Sequence, residues 1–145
     1  MNNKIILLVE DNADDEALTI RALKKNNLAN KIDIVRDGAE AIDYIFCKGE
    51  YSSRDINDKP QLILLDLNLP KMNGIDVLKH IRSEEVSKHI PVVMLTTSEQ
   101  EDDITKSYDV GANSFIRKPV DFTEFTEVVN QLGVYWMAIN KAAKV

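Results

Sequence analysis

Five short blocks along the chain are rich in apolar and β-branched residues: Ile5 to Val9, Ile32 to Val35, Leu62 to Leu65, Val92 to Leu95 and Ser114 to Ile116. Most run continuously rather than alternating, which is the pattern of strands buried on both faces. Each block is followed by a polar or turn residue and then by a longer segment of helical periodicity, such as Ala17, Leu18, Ile20, Ala22 and Leu23 or Ile75, Val77, Leu78 and Ile81. Strands alternating with helices predict a parallel sheet covered on both sides. The expected fold class is therefore α/β, a doubly wound five-stranded parallel sheet, for which the strand order 2-1-3-4-5 is one common solution.

Polar residues fall where helices should begin and end. Asp14 and Asp15 put acids at the positive end of the first helix, and Asp37-Gly38 and Asn73-Gly74 open the second and third. Glu101-Asp102-Asp103 starts the fourth, Asp121 caps the fifth, and Gly111 stands where a C-terminal glycine closes helix four. One connection, residues 49–60, exceeds the usual loop of about 2–6 residues. It reads either as a tolerated surface insertion or as a contact element for a partner.

The last helix predicts an overhang. Residues 121–140 would span about 30 Å as a continuous helix, whereas a five-residue strand spans about 17 Å. Phe122, Phe125, Val129, Leu132, Trp136 and Ile139 share one face, with Val134 and Met137 on the other. Tyr135, Trp136 and Ile139 are the expected anchors of a homodimer or kinase-docking interface, unless Gly133 ends the helix and folds the tail back.

The 145 residues suit one domain, 1–145, with a core from about 4 to 133, the insertion at 49–60 and a C-terminal extension at 134–145. No output domain is expected. An apolar fraction of 44% with 29% charged residues excludes disordered and collagen-like chains. The longest apolar run has five residues, far below the roughly 20 of a membrane helix, and does not form a signal peptide. A net charge of −6 argues against binding to nucleic acid. Cys47, the single cysteine, cannot form an internal disulfide and reads as a small core residue. A cytoplasmic location is expected.

On the expected topology the polar residues gather at one edge. Glu10 and Asp11 follow strand one, Asp66 ends strand three, Thr96 follows strand four and Lys118 follows strand five. Open α/β sheets place ligands at these carboxyl ends. Strands one and three are neighbours in the order 2-1-3-4-5, so Glu10, Asp11 and Asp66 should converge. Like charges so close repel unless a cation intervenes, and an oxygen-lined acidic pocket suits Mg²⁺. With Lys118 as a counter-charge and Thr96 as a hydroxyl donor, these are the parts of a phosphoryl-transfer site. Asp66 is the candidate nucleophile, because Glu10 and Asp11 share one strand end and form the metal side.

Four segments carry a resemblance: Ile6-Leu7-Leu8-Val9-Glu10-Asp11-Asn12, Leu64-Leu65-Asp66-Leu67-Asn68-Leu69-Pro70-Lys71-Met72-Asn73-Gly74, Val93-Met94-Leu95-Thr96-Thr97 and Gly111-Ala112-Asn113-Ser114-Phe115-Ile116-Arg117-Lys118-Pro119. Together they resemble the response-regulator receiver domain of two-component signalling, and the insertion and C-terminal extension are similar to stand-alone receivers associated with phytochrome-type histidine kinases. The resemblance implies a flavodoxin-like receiver fold and a signalling phosphoacceptor rather than an enzyme, one that promotes its own phosphorylation and slow dephosphorylation. Asp66 would take a phosphoryl group from the phosphohistidine of a sensor histidine kinase. Asp11 and Asp66 would ligate Mg²⁺ directly, with the Asn68 backbone carbonyl as a third ligand and Glu10 acting through water. Lys118 would pair with a phosphoryl oxygen. Thr96 would bond the phosphoryl group and draw Phe115 from an outward to an inward rotamer, and the Lys118-Pro119 peptide would be cis.

Three positions depart from the usual receiver pattern: Glu10-Asp11 for a pair of aspartates, Thr97 for a smaller residue, and Phe115 for tyrosine. Rival readings fit less well. A haloacid-dehalogenase-type hydrolase wants a second acid two residues after the nucleophile, where Asn68 stands. A dinucleotide-binding domain wants a glycine-rich turn after strand one, where the chain reads Glu10-Asp11-Asn12-Ala13-Asp14. A degenerate receiver would be expected to lose Asp11, Asp66, Thr96 or Lys118. His80 and His89 read as solvated positions, and Asp14 as a residue bordering the metal pocket.

Overall fold

The computed structural model describes residues 5–25, 31–96, 101–118 and 122–140. Its strands are β1 (Ile5–Val9), β2 (Lys31–Val35), β3 (Leu62–Leu65), β4 (Val92–Thr96) and β5 (Ser114–Arg117). They form one parallel sheet in the order β2-β1-β3-β4-β5, as the apolar pattern predicts. Helices α1 (Ala13–Lys25), α2 (Gly38–Phe46), α3 (Gly74–Ser83), α4 (Glu101–Val110) and α5 (Phe122–Val134) complete the architecture. Thr96 is the last residue of β4 rather than the first beyond it, and β5 runs one residue further than expected, to Arg117.

Side chains alternate between two apolar layers, because successive strand residues point to opposite faces. Leu7, Val9, Ile63, Leu65 and Met94 face α2 and α3, where Ile42, Ile45, Val77, Leu78 and Ile81 meet them. Ile6, Leu8, Leu62, Leu64 and Val93 face the other way, against Ala22 and Leu23 of α1 and Val129 of α5. Every residue of β1, β3 and β4 is buried, which explains their unbroken apolar runs.

Helix ends follow local chemistry. The Asp37 side chain accepts from Glu40 N at 2.7 Å, and that of Asn73 accepts from Asp76 N at 3.0 Å. At α1 the cap is Asn12, whose side chain accepts from Asp15 N at 3.0 Å; the sequence signal there was read from the acids alone. Gly111, at φ +116°, closes α4 as expected, its N–H reaching Ser107 O at 3.1 Å. Cys47 is a correction: it is only partly buried and caps α2 in the left-handed region at φ 56°, where the helix turns into the insertion.

The insertion folds back over α2. The Arg54 guanidinium lies 3.8 Å from the centre of the Tyr44 ring, bonds the Tyr44 carbonyl and reaches Asp58 O at 2.6 Å. The Tyr51 hydroxyl donates to Glu40 at 2.6 Å, and that of Tyr44, on α2, donates to Asp33 on β2, so the segment rests on the helix that is bonded to the outer strand. On the other side of α3, the half-buried Arg82 donates to Gly111 O at 2.8 Å, Ile90 O at 2.8 Å, Lys88 O at 3.1 Å and Asn113 Oδ1 at 2.9 Å. Burial lowers its pKa.

The C-terminal helix departs from expectation. After Val134 it widens into one π-turn, Tyr135–Ile139, closed by Asn140 N on Tyr135 O at 2.6 Å. A π-turn spans one residue more than an α-turn, which rotates the residues that follow. Met137, expected outside, is therefore buried against the layer of Leu62 and Val129, with Trp136 partly buried beside it. Gln61 Nε2 reaches the carbonyls of Trp136 and Met137 at 3.2 and 3.3 Å and ties the turn to the amino end of β3, the end opposite the acids. Val134 and Tyr135 remain exposed. The side chains of Phe122, Phe125 and Ile139, the helix cap at Asp121 and residues 141–145 lie outside the described residues.

Candidate functional site

The register of the sheet assembles the site. Val9 pairs with Val35 on one side and with Leu65 on the other, so β1 and β3 end level. Glu10 N donates to Val35 O at 3.0 Å and Asp66 N to Val9 O at 3.1 Å, which continues the pairing one residue into the site. Carboxylate oxygens of Glu10, Asp11 and Asp66 then lie within 4.8 Å of one another. Glu10 and Asp66 are buried and Asp11 is exposed, so the cluster opens to solvent on the Asp11 side. Two backbone amides hold the buried acids: Asn12 N donates to Glu10 Oε2 at 3.2 Å, and Asn68 N to Asp66 Oδ1 at 3.3 Å.

Lys118 enters from β5. Its N–H donates to Thr96 O at 2.7 Å, placing it beside the buried Thr96 at the end of β4. Its ammonium bonds the Glu10 carboxylate, reaches Asp15 Oδ2 at 3.0 Å and lies 3.4 Å from Asp66 Oδ2. Lys118 was expected to face the cluster of Glu10, Asp11 and Asp66. It contacts two of these, and its third partner is Asp15, on the first turn of α1. Asp14, the residue expected near the pocket, makes no contact with Lys118.

The charges are strongly coupled. Burial, and then the hydrogen bond with Asp66, push Glu10 up to about 7 against the pull of Lys118. Burial works against the Lys118 charge as well, but the surrounding carboxylates outweigh it and raise its pKa. Four acids around one ammonium leave excess negative charge. The donor set is made of hard oxygen ligands only, which fits a small divalent cation such as Mg²⁺ or Mn²⁺. Glu10, Asp11 and Asp66 are the side chains that could hold it, and the chain at Asn68 runs alongside.

Close backbone packing fixes this geometry. Gly74, the first residue of α3, donates to Leu67 O at 2.8 Å, and a Cβ there would stand 2.3 Å from Asp66 O. The helix is thereby pressed against the peptide that carries Asp66.

Phe115 is partly buried on β5 against the α2–α3 layer, and its N–H donates to the Tyr108 hydroxyl at 3.2 Å. Its ring is thus neither fully inside nor fully outside. Pro119 and Thr97 lie outside the described residues. His80, expected in solvent, is partly buried with its ring 4.8 Å from that of Phe46. Asp15 is the residue the sequence reading missed. Its place three residues after the cap Asn12 marks it in the sequence only as a first-turn acid; the contact with Lys118 depends on where β5 ends.

Comparison with known proteins agrees with this geometry. The family model of the response regulator receiver domain matches residues 6–130. The chain is 38% identical over 138 residues to the probable methanogenesis regulatory protein FilR2 of Methanothrix harundinacea, covering 95% of this chain and 86% of that protein. It is 39% identical over 134 residues to the response regulator Rcp1 of Synechocystis, covering 92% and 89%. The crystal structure of the Mn²⁺-bound form of Rcp1 superposes with a TM-score of 0.89 over 97% of this chain and 99% of that one. That of the phosphorylated cyanobacterial phytochrome response regulator RcpA gives a TM-score of 0.91 at 40% identity, over 99% of this chain and 100% of that one.

Proposed function

The chain belongs to the response regulator receiver domain family, and on that premise we propose that it is a Mg²⁺-dependent phosphoacceptor taking a phosphoryl group from a histidine kinase onto Asp66. The observation that carries this reading is the meeting of Glu10, Asp11 and Asp66 within 4.8 Å, with the Lys118 ammonium 3.4 Å from Asp66. A carboxylate oxygen of Asp66 attacks phosphorus, the bond to the donor nitrogen breaks, and an aspartyl phosphate forms. Lys118 neutralises one oxygen of the transferred group, and Thr96 donates its hydroxyl to another. Bound Mg²⁺ would neutralise the remaining charge; Asp11 and Asp66 would hold it directly, with the Asn68 carbonyl as a third ligand, and Glu10 would act through water. Movement of Thr96 toward the phosphoryl group draws Phe115 inward.

The description of RcpA as a phytochrome response regulator supports a kinase of the phytochrome type as phosphodonor. No helix of the described residues is long and apolar enough to cross a membrane. Incubation with a small phosphodonor and Mg²⁺ tests the reading. One hydroxylamine-labile phosphate per chain is expected, and none after chelation of the metal. Uptake that chelation leaves unchanged would overturn it.

The output surface is proposed to be the outer side of α5 and its π-turn, with a second copy of this chain as occupant. Tyr135 and Trp136 line a groove with Ile116 and Leu132 beside the free edge of β5, and the exposed Val134 and Tyr135 extend its apolar character. Ile139 is the third anchor. Met137 is a core residue, so truncating the tail would confuse folding with docking. Tyr135→Glu is the cleaner probe: the native chain should self-associate in sedimentation when loaded with a phosphoryl mimic, and the variant should stay monomeric. Identical sedimentation of the two would sink the proposal.

A further inference from the structure

Three acids hold the Lys118 ammonium. Glu10 and Asp66 come from strand ends and are almost wholly buried, whereas the Asp15 side chain, from α1, is 31% exposed. An ammonium has three N–H donors, and the three carboxylates take all of them. The turn that carries Asp15 is itself fixed. Asn12 receives Asp15 N at 3.0 Å on its side chain and Glu16 N at 2.9 Å on its carbonyl, and Thr19 Oγ1 donates to Asp15 O at 2.8 Å. The Glu16 carboxylate takes two bonds from Arg36, at 2.9 and 3.2 Å, which tie the same turn to the end of β2. The Asp15 carboxylate is thus a stationary partner for a lysine that must change partners.

We infer that Asp15 is a positioning residue for Lys118, holding the ammonium on the α1 side of Asp66 so that it meets the phosphoryl oxygens rather than withdrawing onto Glu10. The inference rests on the reading of Asp66 as phosphoacceptor. When the phosphoryl group arrives, the Lys118–Asp66 bond is replaced by one to a phosphoryl oxygen. Glu10, the deepest of the three acids, competes for the same ammonium. Without Asp15 no described residue of α1 bonds Lys118, because Asn12 and Glu16 are already engaged. The described residues include no other acid in contact with Lys118.

Beryllofluoride with Mg²⁺ serves as the phosphoryl mimic on the full chain, with titration of Mg²⁺ alone and thermal melting as companion measurements. Asp15→Ala should weaken beryllofluoride binding roughly fivefold to tenfold, the range of a charge-assisted hydrogen bond discounted for partial exposure. Affinity for Mg²⁺ alone should stay within about twofold, since Asp15 is not among the converging metal donors. Asp15→Asn keeps an acceptor oxygen and should recover most of the loss. In a Lys118→Gln background Asp15→Ala should have no further effect. Native beryllofluoride affinity in Asp15→Ala, an equal loss without Lys118, or a parallel loss of Mg²⁺ affinity would each overturn the role. Native binding of the mimic by Asp66→Ala would instead overturn the phosphoacceptor reading and leave the ion pair as a feature of the fold.

Discussion

Asp66→Asn should take up no phosphate from any donor while folding at least as well as the native chain. The amide has nearly the shape of the carboxylate but no anionic oxygen to attack phosphorus, so the loss is complete rather than graded. The substitution also removes one of the three converging carboxylates, and Mg²⁺ affinity should fall at least tenfold, about 1.4 kcal/mol. Stability moves the other way. Asp66 helps raise the Glu10 pKa through their shared hydrogen bond and charge, so removing its charge relieves a buried repulsion. Phosphate incorporation measured by mass, Mg²⁺ titration and thermal melting together check all three. Undiminished phosphate on the Asn variant would remove Asp66 from the nucleophile's role.

Gly74→Ala should be strongly destabilising, because the added methyl group meets backbone atoms beside the site. Alanine is the better helix former by about 1 kcal/mol, so propensity alone favours the change. Against it, the new Cβ would stand 2.3 Å from Asp66 O and 2.8 Å from Leu67 Cα. Both are backbone atoms of the segment that carries the phosphoacceptor and cannot turn aside like a side chain. The helix must move away, giving up the Gly74–Leu67 bond, at a cost of about 3 kcal/mol. For a chain this long that lowers Tm by roughly 10 °C, and the displaced Asp66 should weaken Mg²⁺ binding as well. A raised Tm would show that propensity wins and that the contact is soft.

The sheet order and the acid cluster were legible because both depend on patterns of residue type. Continuous apolar runs at β1, β3 and β4 specify burial on both faces, and parallel register carries Glu10 and Asp66 to one edge without reference to any side-chain detail. What escaped depends on reach and on local winding. Asp15 looks like any first-turn acid until Lys118 is seen to arrive from the far end of β5. Met137 was placed outside by a 3.6-residue period that a single π-turn interrupts. Cys47 looks like a core residue by its apolar neighbours, but it stands where α2 must reverse into the insertion. Phe115 can be located on its strand from the sequence, but its partial burial depends on the tertiary packing around β5.

The four bonds made by Arg82 determine how α4 can travel. They pin the carbonyl of Gly111, just past the helix, to the end of α3 and to the residues leading into β4. With that end fastened, a tilt of α4 about Gly111 would break fewer of these bonds than a slide along its axis. Ten residues give a lever of about 15 Å, so a tilt of about ten degrees at Gly111 carries the opposite end, near Thr96, through roughly 2.6 Å. Small motions at that end would thereby appear as a change of angle rather than as a translation of the helix.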